Sequence, residues 1–140
     1  MNEIKQVIVM RTDLNMRKGK MIVQGAHASM KFLLARMKSP WENNKARPAI
    51  ALNTEPYNLE LNFIEDYWVN NLFTKVCVGV HSEAELLKIK EEADNAGIEC
   101  HLITDSGKTE FNGVPTNTCL AIGPDYVDEI NKITGHLNLL

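Results

Sequence analysis

Two kinds of apolar spacing alternate along this chain. Four short runs of apolar and β-branched residues predict buried strands, at 4–11, 75–80, 98–104 and 118–123. Four segments in which apolar residues recur every three or four positions predict helices, at about 19–38, 59–73, 82–97 and 124–135. Because strands alternate with helices, we expect an α/β fold with helices on both faces of one sheet.

Local signals mark several of the element boundaries. Ser82 followed by Glu85 is the pattern of a capping box, which begins the third helix, and that helix ends near Gly97. Pro124 can occupy the first turn of the last helix. The stretch 39–58 contains three prolines and four asparagines, so we expect an irregular segment too long to be a simple connector.

The composition is typical of one globular domain. The chain has 140 residues, of which 44% are apolar and 24% charged. Its three cysteines, Cys77, Cys100 and Cys119, are unclustered and lie in predicted strands, so we interpret them as reduced core thiols of a cytoplasmic protein and not as zinc ligands. Residues 1–20 lack a signal-peptide pattern and no apolar run has the length of a membrane span, so we expect no membrane association.

Charge is distributed unevenly along the chain. Residues 1–47 carry ten basic and three acidic side chains, whereas 48–140 carry five basic and fifteen acidic ones. A basic face could therefore bind a polyanion although the whole chain has a net charge of −3. The alternative is that the opposite charges interleave on the folded surface, and charge alone does not decide between the two.

The first predicted helix carries polar residues where apolar ones are expected. At 100° per residue, Lys20, Gln24, His27 and Lys31 fall within a stripe of about 60°. Apolar residues flank this stripe on both sides, so we expect the helix to be mostly buried and the stripe to line a cleft.

The start of this helix is a candidate anion site. Arg17, Lys18 and Lys20 surround the free amides and the positive end of the helix dipole. Each residue also has a simpler interpretation: His27 as a core histidine, Gln24 as a structural amide, and the lysines as solvated surface.

A second polar group follows the third strand, in "ITDSGKTEF" at 103–111. It places Asp105, Lys108 and Thr109 in a turn at a strand end, where open α/β sheets bind ligands. The "GKT" is not a phosphate loop, since that motif needs a glycine where Leu102 stands. There is no GxSxG motif, so we expect water to be the attacking group in any hydrolysis.

Four ordered motifs resemble the archaeal and eukaryotic type of peptidyl-tRNA hydrolase. "VIVMRTDLNMRKGKMIVQGAHA" follows that family's strand, R-[ST]-D-L loop, M-x-K-G-K turn and Q-x-A-H-A helix, and "DSGKTEF" resembles its D-x-G-[KR]-T-Q turn. "TCLAIGP" and "TGHLNLL" resemble its last strand and terminal segment, and "WVNNLFTKVCVGVHSEAELL" its middle. The resemblance covers most of the chain outside about 39–60.

The resemblance implies a fold, an activity and partners. The fold would be a three-layer α/β/α sandwich with a mixed, about four-stranded sheet, in a single domain over residues 1–140. The activity would be hydrolysis of the ester that joins a peptide to the 3′ ribose of tRNA. The substrate would be peptidyl-tRNA, no metal or other cofactor would be required, and the protein would form a homodimer.

The resemblance and the chemistry of ester hydrolysis together suggest residue roles. Asp105 would orient or deprotonate the water, Lys20 would stabilise the oxyanion, Gln24 would position the ester, and Thr109 would orient water or substrate. His27 is a further catalytic candidate. Five residues would contact the substrate, four of them at the tRNA backbone: Arg11, Lys18, Lys31 and Lys108, together with Thr118.

Three features depart from the family pattern. Residues at about 39–60 form a probable insertion relative to the family's spacing. Glu110 stands where the family usually has Gln, which adds negative charge beside the predicted site. The loop at 112–118, which contains Thr116 and Thr118, is one residue longer than the family's.

Two other functions remain compatible with the sequence. One is a non-catalytic relative that binds tRNA or a protein through the same fold, although such a module would not need Lys20, Gln24, Asp105 and Thr109 together. The other is a small-molecule esterase, which leaves the charge asymmetry unexplained.

Overall fold

The computed structural model of this chain describes residues 3–38 and 58–140. Within these ranges the strands are β1 (Ile4–Arg11), β2 (Met37–Lys38), β3 (Asn58–Leu59), β4 (Lys75–Val80), β5 (Cys100–Asp105) and β6 (Thr116–Tyr126). The helices are α1 (Lys18–Arg36), α2 (Phe63–Tyr67) with a π-helical turn at Trp68–Leu72, α3 (Glu83–Asn95), a 3₁₀ turn at Phe111–Gly113, and α4 (Val127–Thr134). None of the helices in the described ranges has the length and hydropathy that crossing a bilayer requires.

The central sheet is mixed and four-stranded, in the order β4-β1-β6-β5. β1 pairs in parallel with β4 and antiparallel with β6, and β6 pairs antiparallel with β5. Each predicted apolar run overlaps one of the four strands. The central strands β1 and β6 are mostly buried and the edge strands β4 and β5 are partly buried, which accounts for their apolar side chains. The prediction of a mixed four-stranded sheet is therefore confirmed.

Helices cover both faces of this sheet. On one face, α3 and α4 pack their buried Leu86 and Ile130 against a cluster that includes Val7 and Val9 of β1. On the other face, α1 packs Ala28 against a cluster that includes Met10 and Ala121. This arrangement is the expected three-layer α/β/α sandwich.

α1 is buried along one side only, which corrects the prediction of a mostly buried helix. Its buried residues, Gln24, Gly25, Ala28 and Phe32, face the sheet and α2. The opposite flank is exposed, and it presents Ile22, Val23, Met30 and Leu34 with at least half of each residue accessible. The prediction failed because apolar character on both sides of a helix does not say which side the sheet will cover.

Two predicted helix starts differ from the structure: the helix predicted from about 59 begins at Phe63, and the helix predicted from 124 begins later as well. Pro124 lies inside β6, after a cis Gly123–Pro124 peptide bond, and α4 begins at Val127. The strand continues past Pro124 because Tyr126 still pairs with Ile4 of β1.

At α3 only half of the predicted capping box forms. The Ser82 hydroxyl accepts a hydrogen bond from the Glu85 amide, but the Glu85 carboxylate accepts one from His81 instead of Ser82. A reciprocal capping box occurs at the start of α2, between Asn62 and Glu65. The predicted insertion at about 39–60 falls mainly on residues 39–57, which lie outside the described residues, and β2 and β3 on either side of that segment pair antiparallel.

Candidate active site

The first turn of α1 and the end of β5 meet through a lysine and an aspartate. Lys20 Nζ lies 2.8 Å from Asp105 Oδ1 and also donates to the Thr109 hydroxyl at 3.1 Å. Both charged side chains are 13% exposed, so the pair is largely shielded but reaches solvent at one side. The structure thus brings together three of the predicted catalytic residues, which come from two separate parts of the chain.

Three donors hold the Asp105 carboxylate. Lys20 and the Gln24 side-chain amide, the latter at 3.1 Å, both donate to Oδ1. The Gly107 amide donates to Oδ2 at 2.8 Å. The hydrogen bond from Lys20, with further help from the Gly107 amide, lowers the pKa of Asp105 below its ordinary value, because these donors stabilise the charged form. Counting donors from the described residues, one acceptor position remains on Oδ2, and it can accept a proton of a water molecule or substrate.

Two residues of β6, Thr118 and Cys119, hold Gln24 from the side of the sheet. The Thr118 hydroxyl donates to Gln24 Oε1 at 2.6 Å, which turns the amide nitrogen toward Asp105. The Cys119 thiol donates to the Gln24 backbone carbonyl at 3.4 Å. Thr118 is completely buried and Gln24 nearly so. Thr118 therefore lies beneath Gln24, where it orders the site from the side of the sheet.

Gly107 is a residue whose role the sequence analysis did not identify. It has a φ of +80°, and a Cβ atom there would overlap the backbone of Val114. Only glycine fits this conformation and this close approach, and the result is an amide aimed at Asp105 two residues earlier. The signal was present in the sequence, since an aspartate that accepts from the amide two residues on forms a common local turn.

A shallow cleft opens beside Lys20 and Thr109. Glu110 lies at its rim, and the Arg17 guanidinium pairs with it at 3.0 Å. The negative charge that departs from the family pattern is therefore paired with an exposed arginine. Arg17 is also the residue before α1, and it makes no side-chain cap to the helix amides. Among the described residues, no N-cap side chain therefore occupies the first amides of α1, which can donate to an anion.

The remaining predicted residues lie at different depths. His27 and Lys31 continue the stripe of Lys20 and Gln24 along α1 and are exposed, so His27 is not a core histidine. Lys18 and Lys108 are exposed near the start of α1 and in the turn after β5.

Arg11, by contrast, is buried. Its guanidinium donates to both carboxylate oxygens of Asp13, lies 3.4 Å from Glu83, and donates to the Asn117 carbonyl at 3.0 Å. The hydrogen bond with Asp13 raises the pKa of Arg11 and lowers that of Asp13, so both are charged. Arg11 therefore ties the loop after β1 to the residue that precedes Thr118.

Two buried thiols, Cys119 beside Gln24 and Cys100 at the far end of β5, are unsuited to act as nucleophiles. Burial raises the pKa of Cys119 to about 12, and the same cause raises that of Cys100 to about 12, so both are protonated at neutral pH. Among the described residues, no group of three or more His, Cys, Asp or Glu side chains has the arrangement needed to hold a metal ion. The arrangement that does exist is an ionised carboxylate with a free acceptor position beside an ammonium group and a hydroxyl. It can orient a water molecule and stabilise an oxyanion.

The comparisons with known proteins bear on the family and the fold of this chain. The family model described as peptidyl-tRNA hydrolase PTH2 matches residues 4–140. The chain is 39% identical over 138 residues to a peptidyl-tRNA hydrolase of Methanocaldococcus jannaschii, covering 98% of this chain and 100% of that protein. It is 32% identical over 139 residues to a probable peptidyl-tRNA hydrolase 2 of Drosophila melanogaster, covering 99% of this chain and 63% of that protein.

A solved structure supports the fold independently. It is that of a protein of unknown function from Agrobacterium tumefaciens, with a TM-score of 0.55 and 11% identity over 100% of this chain and 99% of that chain. This likeness concerns the fold alone. The match over residues 4–140 and the identities to full-length relatives go further, and they establish that this chain belongs to the peptidyl-tRNA hydrolase PTH2 family.

Proposed function

We propose that this protein hydrolyses the ester bond between a peptide, or an N-blocked aminoacyl group, and the 3′ ribose of tRNA, as an aminoacyl- and peptidyl-tRNA hydrolase. The observation that carries the proposal is the Asp105 carboxylate. Lys20, Gln24 and the Gly107 amide hold it, and one acceptor position on Oδ2 receives no donor from the described residues. The membership of the family supports the same substrate.

The attack begins with a water molecule that donates to Asp105 Oδ2. As the water oxygen bonds to the ester carbonyl carbon, its proton moves to Asp105 and negative charge develops on the carbonyl oxygen. The ammonium group of Lys20 and the hydroxyl of Thr109 stabilise that oxyanion. The bond to the 3′ oxygen then breaks and that oxygen takes up the proton, which leaves a tRNA hydroxyl and a peptide acid. Because the pKa of Asp105 is lowered, the carboxylate is a weak base whose main contribution is to orient the water.

Gln24 and Thr118 act mainly as positioning residues in this scheme. One amide hydrogen of Gln24 is used by Asp105, and the other remains for the ester. Thr118 acts through Gln24, because its buried hydroxyl reaches no substrate directly. Arg11 similarly acts through the Asn117 carbonyl. His27 lies one helical turn beyond Gln24, where it borders the substrate and not the water.

The tRNA is bound by cations around the start of α1. Lys18 and Lys108 are exposed there, Lys31 extends the charge along the helix, and the open amides of α1 add the positive end of its dipole. Phosphates held in this way release counterions, so binding weakens with added salt.

We also propose that the protein forms a homodimer and acts in the cytoplasm, where its substrate is made. The dimer is supported by the family resemblance and by an apolar groove between α1 and β4, whose lining includes Met21, Ile22, Phe73 and Leu140. Ile22→Glu in this groove is expected to give a monomer in sedimentation velocity. Leu87→Glu on α3 serves as the control, and a dimer that survives Ile22→Glu contradicts this interface.

The deciding experiment measures release of a labelled N-acetylaminoacyl group from tRNA by the purified protein in the presence of EDTA. Turnover should survive chelation and fall at least about a hundredfold in both Lys20→Ala and Asp105→Asn. Asp94→Asn is the matched control, since it removes a carboxylate that pairs with Lys90 on the surface of α3. Salt-dependent tRNA binding without turnover would identify a binding protein instead.

A further inference from the structure

A second cleft leads away from the candidate site, between α1 and the outer edge of β5. Its volume is about 380 Å³, and its walls include His27, Met30 and Leu34 of α1 and Leu102, Ile103 and Thr104 of β5. Asp105, the last residue of β5, stands at one end of this wall. The cleft therefore extends as far as Thr104, the residue before the carboxylate that the proposed reaction uses.

The wall on the β5 side is formed by backbone. Among the described strands, β5 pairs only with β6. The Glu99 carbonyl accepts from the Gly123 amide at 2.7 Å, and the Ile103 carbonyl accepts from the Thr118 hydroxyl, so both face β6. Since alternate residues of a strand direct their amide and carbonyl groups to opposite edges, those of Leu102 and Thr104 face outward. The Leu102 side chain packs into the core on the α3 side, so Leu102 can line this cleft only through its backbone.

The two surfaces next to the candidate site, one at the start of α1 and one along β5, differ in the charge and polarity of their side chains. Toward the start of α1, the exposed side chains are those of Arg17, Lys18 and Lys108, which suit phosphates. Toward the β5 edge, Met30 and Leu34 are exposed apolar side chains on the wall that also carries Lys31, and they face a strand edge that no other described strand covers. An ester between a polyanion and a peptide, held at Asp105, fits with its RNA part on the first side and its peptide part on the second.

We propose that the peptide part of the substrate binds as an added strand on the outer edge of β5. This inference rests on the proposed function. The peptide runs parallel to β5, because its C-terminal carbonyl carries the ester and Asp105 is at the C-terminal end of the strand. Hydrogen bonds to the Leu102 and Thr104 backbone do not depend on side chains, so peptides of any sequence are accepted. Every second peptide side chain lies against Met30 and Leu34.

The first test varies the substrate and leaves the protein intact. All substrates carry the same tRNA and bear an N-acetylated amino acid, dipeptide, tripeptide or tetrapeptide. We expect kcat/KM to rise about tenfold over the first two or three residues, as one or two net hydrogen bonds form. N-methylation of one peptide nitrogen should remove most of this gain, whereas N-methylation of the next nitrogen should change it less than twofold. Each methylated substrate is the control for its neighbour.

The second test changes the opposite wall of the cleft. Leu34→Asp should reduce the gain with peptide length severalfold while hydrolysis of the N-acetylaminoacyl substrate stays at the wild-type rate. Leu87→Asp, an exposed leucine on α3, is the matched control and should change neither.

The outcomes separate this inference from the proposed function. Rates that do not depend on peptide length, or equal effects of methylation at every nitrogen, would overturn the peptide site alone. Weaker binding of deacylated tRNA by Leu34→Asp would also overturn it, because the cleft would then hold RNA. Absence of hydrolysis with the shortest substrate would overturn the proposed function itself.

Discussion

Lys20 and Asp105 are separated by 85 positions in the chain, and their side chains meet with Nζ 2.8 Å from Oδ1. The contact joins the first turn of a helix to the last residue of a strand. Gln24 and the Gly107 amide reach the same carboxylate, so its direction is defined by three donors from two segments. The fourth acceptor position, on Oδ2, receives no donor from the described residues, and the chemistry proposed above depends on it.

The hydroxyl of Thr118 is expected to affect turnover more than substrate binding. Thr118→Val removes the donor to the buried side-chain oxygen Oε1 of Gln24. The side-chain amide nitrogen of Gln24 then no longer holds Asp105 firmly. We expect kcat to fall about tenfold with KM nearly unchanged, since one buried hydrogen bond is lost. Thr134→Val is the control, because its hydroxyl is also buried but donates within α4. Wild-type kcat in Thr118→Val would show that Gln24 needs no such support.

Position 107 is expected to require glycine because of its backbone conformation and because a side chain there has no space. Gly107→Ala forces a left-handed backbone on alanine and overlaps Val114, so the free energy of unfolding should fall by about 3 kcal/mol or more. Gly97→Ala is the matched control, since φ is +71° there but the space is open. It should cost only about 1 kcal/mol. Urea unfolding measures both, and equal losses would contradict the predicted overlap.

The ion pair of Asp105 is expected to make stability depend on acid pH. The pKa of Asp105 is lowered in the folded state, so the unfolded state binds the proton more tightly. The stabilisation is complete once the pH is about one unit above 3.8, the ordinary pKa of an aspartate. It is lost as the pH falls through the lower pKa of the folded state. Asp105→Asn should therefore cost about 1–3 kcal/mol at pH 7, a difference that shrinks toward pH 3.

Denaturant unfolding between pH 3 and 7 checks this expectation. Asp94→Asn, which removes an exposed pair with Lys90, should cost less than about 1 kcal/mol. If the difference in free energy of unfolding between wild type and Asp105→Asn grows as the pH falls, the lowered pKa of Asp105 does not account for the stability.

The lysines near the start of α1 are expected to contribute to tRNA binding through charge. We measure the binding constant for deacylated tRNA at several salt concentrations and plot its logarithm against the logarithm of the salt concentration. The magnitude of this slope should fall by about one in Lys18→Ala and by about one in Lys108→Ala. Lys132→Ala, on the exposed face of α4, should leave the slope unchanged. Filter binding at several salt concentrations measures these slopes, and equal slopes for all variants would place the tRNA elsewhere.

Much of the fold follows from local pattern. The apolar runs gave the four sheet strands, and the spacing along 19–38 gave α1, because burial on a pleat or on a helix face imposes a period on the side chains. The same locality explains the errors. Pro124 suits a helix start by its own geometry, but pairing of Tyr126 with Ile4 keeps it in a strand. Which flank of α1 is buried depends on where the sheet lies, and the helix pattern does not contain that information.

In the candidate site, too, some features follow from local sequence and others depend on tertiary contacts. The sequence by itself determined that Lys20, Gln24, His27 and Lys31 share one face of a helix. It also determined that Asp105, Lys108 and Thr109 share a turn, since both groupings follow from spacing within one segment. Only the tertiary structure decided that these two segments meet, and that Thr118 lies beneath Gln24. The antiparallel pairing of β5 with β6 brings residues 103 and 119 side by side, and α1 packs across both strands. Contacts of this kind depend on strand order and helix placement, which are properties of the whole chain.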